Sequence, residues 1–453
     1  MSTGGITRGR APDARRTLSR QEFLKLGGAA FAGATVLGVP GCGGGERSEG
    51  LARLTFSHGP EGAEIWQRQI KQFNQQNEGD IQVELRQAPT DTDQYFDQLR
   101  TEFQAGSGGA DIISGDVIWP AQFAARGWIL NLSNRFTQDL REMHLPATVA
   151  SNTYQDKIYG VPWYTDAGML YFRTDLLEES GFSEPPKTWD ELKEQAQKAR
   201  RDSRTKYGFV FQGAEYEGGV VNALEYIWTH GGYVLDPEYP DEVIGDDTRT
   251  LEGLKTARHL VESQVAPEAV SSYKEWESYA IFLGGDAVFM RNWPFAYKLS
   301  ADPSISSVVP EQIGVAELPV AAEGDPSYSG LGGWNLMINS ASEHVDEAWA
   351  FIQYLSAPEQ QKTRVLEGGY LPTSKDLYED AEILENVPVI SSGKEAIENV
   401  RSRPVSPFYS DMSLMMAEQF NALLEGSTSP EEATEKLGRD LKEIVERAQV
   451  SRE

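Results

Sequence analysis

The sequence has little cysteine, little histidine and few basic residues. One Cys and five His among 453 residues exclude an internal disulfide and a cysteine zinc cluster, and leave little for a histidine-rich metal site. Lys and Arg number 41 against 69 Asp and Glu, a net charge of −28. Nucleic-acid and anionic-membrane binders need a basic face, so both classes are disfavoured. By contrast, 18 Tyr and ten Trp are abundant, and aromatic and acidic groups together indicate a pocket for polar, ring-shaped or cationic ligands.

Long hydrophobic runs are also scarce. The uncharged run Leu26–Pro40 follows a basic segment and is too short for a transmembrane helix, but it is typical of a secretory signal. The segment Val39-Pro40-Gly41-Cys42 is similar to a bacterial lipobox. We therefore expect Cys42 to be lipidated after cleavage, which would anchor the chain to the outer face of the cell membrane.

The rest of the chain alternates strand and helix patterns. Leu51–Ser57, Ile81–Arg86 and Asp111–Ser114 have strand character, and segments with helical spacing of apolar residues lie between them. This β-α-β-α-β order predicts an α/β protein with a parallel sheet. Thr188 and Glu191 predict a capping box at the start of a further helix.

Several candidate site residues follow predicted strands, and ligands bind at the carboxyl ends of strands in open α/β sheets. Glu61 follows the first strand and Asp116 the third. Either one also fits a purely structural role, Glu61 as an acid in the first turn of a helix and Asp116 as an N-cap. Position alone does not separate these interpretations.

Aromatic residues mark three further segments. Trp163-Tyr164-Thr165-Asp166 is interpreted as a turn in which core packing accounts for Trp163 but not for Tyr164 and Asp166, whose polar tips need partners. Trp293 ends another predicted strand, and Gly332-Gly333-Trp334 combines close backbone approach with an indole face. Glu217, ahead of a predicted Gly218-Gly219 loop, and Arg403 complete the set. Aromatic rings cover the apolar face of a sugar and charged groups bond its hydroxyls, so the set favours carbohydrate recognition.

At these positions the sequence resembles a known family, the extracellular solute-binding lipoproteins of bacterial ABC sugar importers, and most of all its trehalose/maltose-binding branch. The resemblance spans nearly all of residues 51–450. The motifs that carry it are Gly115-Asp116-Val117-Ile118-Trp119-Pro120, Val161–Tyr171, Phe172-Arg173-Thr174-Asp175, Tyr207–Gly213, Phe289–Pro294, Gly332-Gly333-Trp334-Asn335 and Arg403-Pro404.

The resemblance implies a two-lobed, type II periplasmic-binding-protein fold with a ligand cleft between the lobes and a hinge of several chain crossings. We expect those crossings near residues 158–162, 318–326 and 365–372. The implied organisation is a signal peptide at 1–41, a lipidated Cys and flexible tether at 42–50, an N-terminal lobe of 51–160 with 325–367, and a C-terminal lobe of 161–324 with 368–453.

The resemblance also implies roles for the candidate residues. Hydroxyl ligands would be Glu61, Asp116, Asp166, Arg403 and, less directly, Glu217; stacking rings would be Tyr164, Trp293 and Trp334; backbone N–H donors would be Gly332 and Gly333. The implied protein is a monomeric disaccharide receptor, for trehalose first and for maltose or a related α-glucoside second, without a cofactor. It would deliver its ligand to a membrane permease whose ATPase is a separate chain, because the sequence has no GxxxxGK[ST] motif.

Two other interpretations stay open at this point. Asp, Glu and Trp also form cages for polyamine ammonium groups, although a buried Arg403 would repel such a ligand. Asp116 and Asp166 are, in principle, the carboxylate pair of a glycosidase, but the sequence does not give their separation.

Overall fold

The computed structural model describes residues 50–450 except Glu61 and residues 107–108, 237–242 and 246. The expected signal peptide, Cys42 and Glu61 lie outside the described residues, so their roles stay predictions. Among the helices that the structure describes, each is too short or too polar to cross a bilayer.

Strands and helices alternate along most of the described chain. The strands are β1 (Ala52–His58), β2 (Ile81–Gln87), β3 (Ile112–Asp116), β4 (Thr153–Tyr154), β5 (Lys157–Ile158), β6 (Val161–Ala167), β7 (Met169–Arg173), β8 (Tyr207–Val210), β9 (Ala287–Asn292), β10 (Ile313–Ala316), β11 (Ser329–Ile338) and β12 (Val400–Arg401). The α-helices are α1 (Ala63–Gln76), α2 (Thr92–Ala105), α3 (Pro120–Ala125), α4 (Gln138–Glu142), α5 (Pro146–Ala150), α6 (Thr174–Glu179), α7 (Trp189–Ser203), α8 (Glu217–Trp228), α9 (Thr248–Glu262), α10 (Glu275–Leu283), α11 (Phe295–Leu299), α12 (Val345–Ser356), α13 (Pro358–Gly368), α14 (Ala381–Asn386), α15 (Pro388–Ser392), α16 (Lys394–Glu398), α17 (Tyr409–Glu425) and α18 (Pro430–Val450).

The first sheet has the strand order β12-β11-β3-β1-β2, and β6 also pairs with β11. β1 is parallel to both β2 and β3, as the β-α-β-α-β pattern predicts. β11 runs antiparallel to β3 and to β6. Because β11 joins β3 to β6, this strand brings the end of β3 next to the middle of β6.

The first sheet has its own aromatic core. The apolar face of α1 packs Trp66 and Phe73 toward the sheet, where Phe56 of β1 is fully buried. Phe56 contacts the rings of Trp163 and Phe351 edge-on at 5.5 and 5.6 Å between centroids. Trp163 is therefore a core residue, as its position in the sequence predicts.

The second sheet has the order β10-β7-β9-β8 and a separate core. β7 is antiparallel to β9 and β10, whereas β8 is parallel to β9. The capping box at the start of α7 is confirmed: the Glu191 N–H donates to the Thr188 hydroxyl, and the Glu191 carboxylate accepts from the Thr188 N–H. Two sheets with separate cores give the molecule two lobes.

The first passage between the lobes differs from the sequence-based expectation. We expected it near 158–162, with residue 161 opening the C-terminal lobe. Instead β6 pairs with β11 in the first sheet, and β7 pairs with β9 in the second, so the chain passes between sheets at Gly168. Apolar and aromatic residues fill β6 and β7 alike, and this uniform pattern conceals the change of sheet.

Candidate functional site

Five candidate residues meet on the paired strands β6 and β11. Gly332 lies opposite Asp166, and Trp334 lies opposite Tyr164 on one side and Asp116 on the other. The expectation of a turn at residues 163–166 was wrong, because these residues belong to the interior of β6. The ladder, and not a loop, holds their side chains together.

The two glycines of β11 have different reasons to be glycine. Gly333 has φ +113°, and a Cβ there would overlap the backbone of Tyr164. A Cβ on Gly332 would lie 3.0 Å from both the ring of Trp293 and the Cβ of Asp166. Gly332 therefore lets the indole of Trp293, from the second lobe, approach the first sheet.

Trp293 is held on several sides. Its indole N–H donates to Glu275 Oε1 at 3.3 Å, and the Arg291 guanidinium lies 4.0 Å from its ring centroid. The backbone oxygen of Trp293 accepts a hydrogen bond of 2.8 Å from the Tyr171 hydroxyl. Both Trp293 and Trp334 are half-buried, so each keeps ring surface that a ligand can cover.

Tyr164 is more enclosed than its predicted stacking role suggests. It is buried, and its ring centroid lies 6.0 Å from that of Trp66 in a stacked arrangement and 5.0 Å from that of Tyr370. Tyr370, which the sequence did not single out, thus joins the aromatic wall. Tyr164 therefore packs behind the candidate site as well as lining it.

Arg403 links the two lobes. Its Nη1 donates to Glu217 Oε1 at 2.5 Å, and its Nη2 donates to Asp116 Oδ1 and to the Leu331 carbonyl at 3.2 Å each. The residue is 5% exposed. Burial alone would lower the pKa of Arg403, but the carboxylates of Asp116 and Glu217 raise it above its ordinary value. The guanidinium is thus a fixed positive charge between two acids.

Glu217 is committed to protein groups. It opens α8, and its carboxylate accepts from the Tyr409 hydroxyl at 2.6 Å and from the Ser413 hydroxyl as well as from Arg403. The Gly218-Gly219 segment after it is the first turn of α8 and not the predicted loop. Glu217 is therefore placed to orient Arg403.

Asp116 has fewer hydrogen bonds to protein groups than Glu217. Its Oδ1 accepts from Arg403 and from the Ile118 N–H at 3.2 Å, so it stabilises the turn after β3. It is not the N-cap that the structural interpretation predicts, because the N-cap of α3 is Trp119, three residues later. Burial raises the pKa of Asp116, and the adjacent Arg403 opposes that shift. The structural and ligand-binding roles of this residue are compatible.

Sequence reasoning missed three charged residues that meet where the lobes face each other. Lys274, the N-cap of α10 in the second lobe, reaches Asp91 Oδ2 of the first lobe at 2.7 Å. Asp93 is accessible to solvent, yet partial burial and the neighbouring Glu217 and Asp91 raise its pKa to about 6, against the influence of Lys274. Asp91 and Asp93 come shortly after β2, and Asp116 is the last residue of β3, so the strand-end rule applied to β2 finds the first two. No sequence signal marks Lys274.

The described residues contain no group of three or more His, Cys, Asp or Glu placed to hold a metal ion. The groups described at this site are carboxylates, the guanidinium groups of Arg403 and Arg291, the ammonium group of Lys274 and several aromatic ring faces. Such a set binds hydroxyl groups and apolar ring faces.

Known proteins share this sequence and architecture. The profile of the family described as bacterial extracellular solute-binding protein matches residues 59–362. A probable ABC transporter-binding protein of Deinococcus radiodurans is 36% identical over 329 residues, 72% of this chain and 76% of that protein. A maltotriose-binding protein of Pyrococcus abyssi is 28% identical over 332 residues, 72% of this chain and 67% of that one. The structure of maltose-bound MalE3 from T. maritima matches with a TM-score of 0.81 and 35% identity over 87% of this chain and 100% of its own.

Proposed function

Because the chain belongs to the bacterial extracellular solute-binding protein family, we propose that it captures a disaccharide of α-linked glucose units, maltose in the first place and trehalose in the second. It is the solute-binding receptor of an ABC importer with a two-lobed α/β fold. The observation that carries the sugar proposal is the meeting of Trp293, Trp334 and Asp166 on and beside one strand ladder. The similarity to maltose-bound MalE3 supports maltose as the first ligand to test.

In this proposal, the half-buried faces of Trp293 and Trp334 cover the apolar faces of two sugar rings. Asp166 and Asp116 accept hydrogen bonds from hydroxyl groups, which are stronger for an ionised acceptor. Tyr164 supports the aromatic wall, and Glu217 acts through Arg403. Glu61 retains its predicted hydroxyl-binding role outside the described residues.

Ligand capture would couple to lobe closure because residues from both lobes contact the same sugar. A ligand that contacts both walls binds the closed form better and shifts the population toward it. The closed form would then dock on a membrane permease served by a separate ATPase. Lipidation of Cys42 would hold the receptor at the outer face of the membrane. Mass spectrometry of the exported protein tests that anchor: the C42A variant must lack the lipid mass.

Titration calorimetry of the purified protein with maltose, trehalose, sucrose, glucose and spermidine tests the proposal. We expect one-to-one binding of maltose or trehalose, tighter than that of glucose. Trp293→Ala should weaken this binding by about tenfold or more, since it removes a ring contact. Trp128→Ala is the matched control, because Trp128 is also half-buried but its ring contacts Phe103, Phe123 and Arg126, none of which is a candidate site residue. Binding of spermidine in place of any sugar would refute the proposal.

A further inference from the structure

The second lobe contains a buried ion pair beside the proposed stacking ring of Trp293. Arg291 lies in β9 and Glu225 in α8, and both side chains are almost completely buried. Arg291 donates from Nε to Glu225 Oε2 at 2.7 Å and from Nη2 to Glu225 Oε1 at 2.5 Å. A buried ion pair seldom stabilises a fold more than well-packed apolar residues of the same size would, so stability alone does not account for this pair.

A third hydrogen bond fixes the plane of the guanidinium group. Arg291 Nη1 donates to Gln212 Oε1 at 3.0 Å. The Gln212 amide is itself oriented, because its Nε2 donates to the Ser278 hydroxyl at 2.6 Å and to the Arg291 carbonyl at 2.9 Å. Gln212 and Ser278 are fully buried, so water does not compete for these bonds. Bonds from all three nitrogens of a planar group prevent its rotation.

The fixed guanidinium covers one face of the Trp293 indole. Arg291 Cζ lies over the ring at 4.0 Å from its centroid. This separation is that of two stacked planar groups, and a guanidinium and an indole attract each other in this arrangement. The indole N–H donates to Glu275 Oε1 at 3.3 Å, which holds the edge of the ring. A sugar that stacks on Trp293 must therefore use the face opposite Arg291.

We propose that Arg291 is a positioning residue for the bound sugar and that Glu225 is the counter-ion that holds it in place. The guanidinium sets the plane of the Trp293 indole before a ligand arrives, so that the ring presents its opposite face in the orientation that stacking requires. A side chain that is already ordered loses little conformational entropy when a ligand binds, and this increases the affinity. The inference rests on the proposed sugar-binding function and adds to it two buried residues that act through the ring.

The test variant is the double substitution Glu225→Gln with Arg291→Met, which removes both charges together and leaves no unpaired charge in the core. Glu225→Gln retains an oxygen that can accept from the Gly330 N–H, which donates to Glu225 Oε1 at 3.0 Å. Arg291→Met retains an unbranched side chain without the planar fork. Arg291→Lys is the second variant, because it keeps the charge beside Glu225 and loses the stacked plane.

Titration calorimetry measures the binding of maltose, or of trehalose if the wild type binds trehalose more tightly, with and without Trp293→Ala. We expect the double variant to weaken the sugar affinity by about tenfold when Trp293 is present. In a protein that already carries Trp293→Ala, the same two substitutions should change the affinity by less than about twofold, since the ring through which they act is gone. Arg291→Lys should show the same dependence on Trp293.

The matched control is Arg173→Met with Asp175→Asn. Arg173 ends β7 in the same lobe and donates to both carboxylate oxygens of Asp175, at 2.8 and 2.5 Å. It pairs with Ile313 of the edge strand β10. Removal of this ion pair should leave the sugar affinity unchanged with and without Trp293→Ala. Thermal unfolding of each variant checks that the fold is intact.

The outcomes separate the inference from the function beneath it. Wild-type sugar affinity in both Arg291 variants would overturn the positioning role. Equal weakening with and without the Trp293 indole would overturn it as well, because the ion pair would then affect binding by another route. Unchanged binding by Trp293→Ala itself would overturn the inference, while sugar binding by the wild type would still support the receptor function. No binding of any sugar by the wild type refutes the proposed function and the inference with it.

Discussion

Replacing Arg403 by Met should leave two buried carboxylates without their shared cation. Arg403 bonds Asp116 and Glu217 and is 5% exposed. Loss of one partner of a buried ion pair costs about 3–5 kcal/mol, because an uncompensated charge remains. Glu217 retains the hydroxyl donors of Tyr409 and Ser413, so Asp116 is the group that will take up a proton.

The free energy needed to protonate Asp116 sets both the size of the stability loss and its dependence on pH. From an ordinary pKa of 3.8, protonation costs about 4 kcal/mol at pH 7 and about 1.6 kcal/mol at pH 5, at 1.36 kcal/mol per pH unit. In Arg403→Met the folded-state pKa of Asp116 lies above its unfolded value. The loss of stability is therefore complete at a pH above the folded-state pKa of Asp116. It disappears as the pH falls toward the unfolded-state pKa.

Urea unfolding followed by circular dichroism at pH 7 and pH 5 measures this effect. We expect Arg403→Met to lose at most about 4 kcal/mol at pH 7 and less than half of that at pH 5, since burial already raises the pKa of Asp116 in the wild type. Adding Asp116→Asn should restore most of the loss and remove its pH dependence. Arg53→Met, at a side chain that is 66% exposed, should leave the free energy of unfolding nearly unchanged. A loss below about 1 kcal/mol at pH 7, or an equal loss at both pH values, would refute the reasoning.

Two further predictions concern the charged residues between the lobes. The raised pKa of Asp93, about 6, means that its ionised form is disfavoured in the folded state, so Asp93→Asn should be more stable than the wild type at pH 7 and lose that advantage as the pH falls below about 4. Urea unfolding across this range checks it, and an advantage that persists at pH 3.5 would contradict it. A double-mutant cycle with Asp91→Asn and Lys274→Met should give a coupling energy of about 0.5–1 kcal/mol in low salt that shrinks in 1 M NaCl, because both side chains are partly exposed. A coupling that does not respond to salt would argue against a direct ion pair.

Local sequence patterns predicted those structural features that depend on residues close together in the sequence. The capping box depends only on Thr188 and the residue three positions later, and the parallel pairing of β1 and β2 follows from the helix between them. The loop predicted at Gly218 and Gly219 is instead the first turn of α8, because glycine is a weak helix former by sequence whereas close packing tolerates no side chain at either position.

The sequence predicted which residues belong to the candidate site better than it predicted how they are arranged. Asp116, Asp166 and Trp334 do come together, but through the pairing of β11 with both β3 and β6, which joins residues more than 160 positions apart. Local periodicity carries no information on such a pairing. Lys274 was missed for the same reason, as its partner Asp91 belongs to the other lobe.

The passage between the lobes and the proposed stacking ring depend on one buried ion pair. Arg291 and Glu225 are 2% and 3% exposed and are joined by hydrogen bonds of 2.7 and 2.5 Å. A Cβ on Gly168, where the chain passes between the sheets, would overlap Glu225, and the Gly330 N–H donates to Glu225 Oε1 at 3.0 Å. The same guanidinium lies 4.0 Å from the ring of Trp293. A change of backbone at Gly168 or Gly330 must therefore move the ion pair or break its bonds, and the guanidinium of that pair lies against the indole. This connection gives a movement of the lobes a physical route to the ring that is proposed to stack on the ligand.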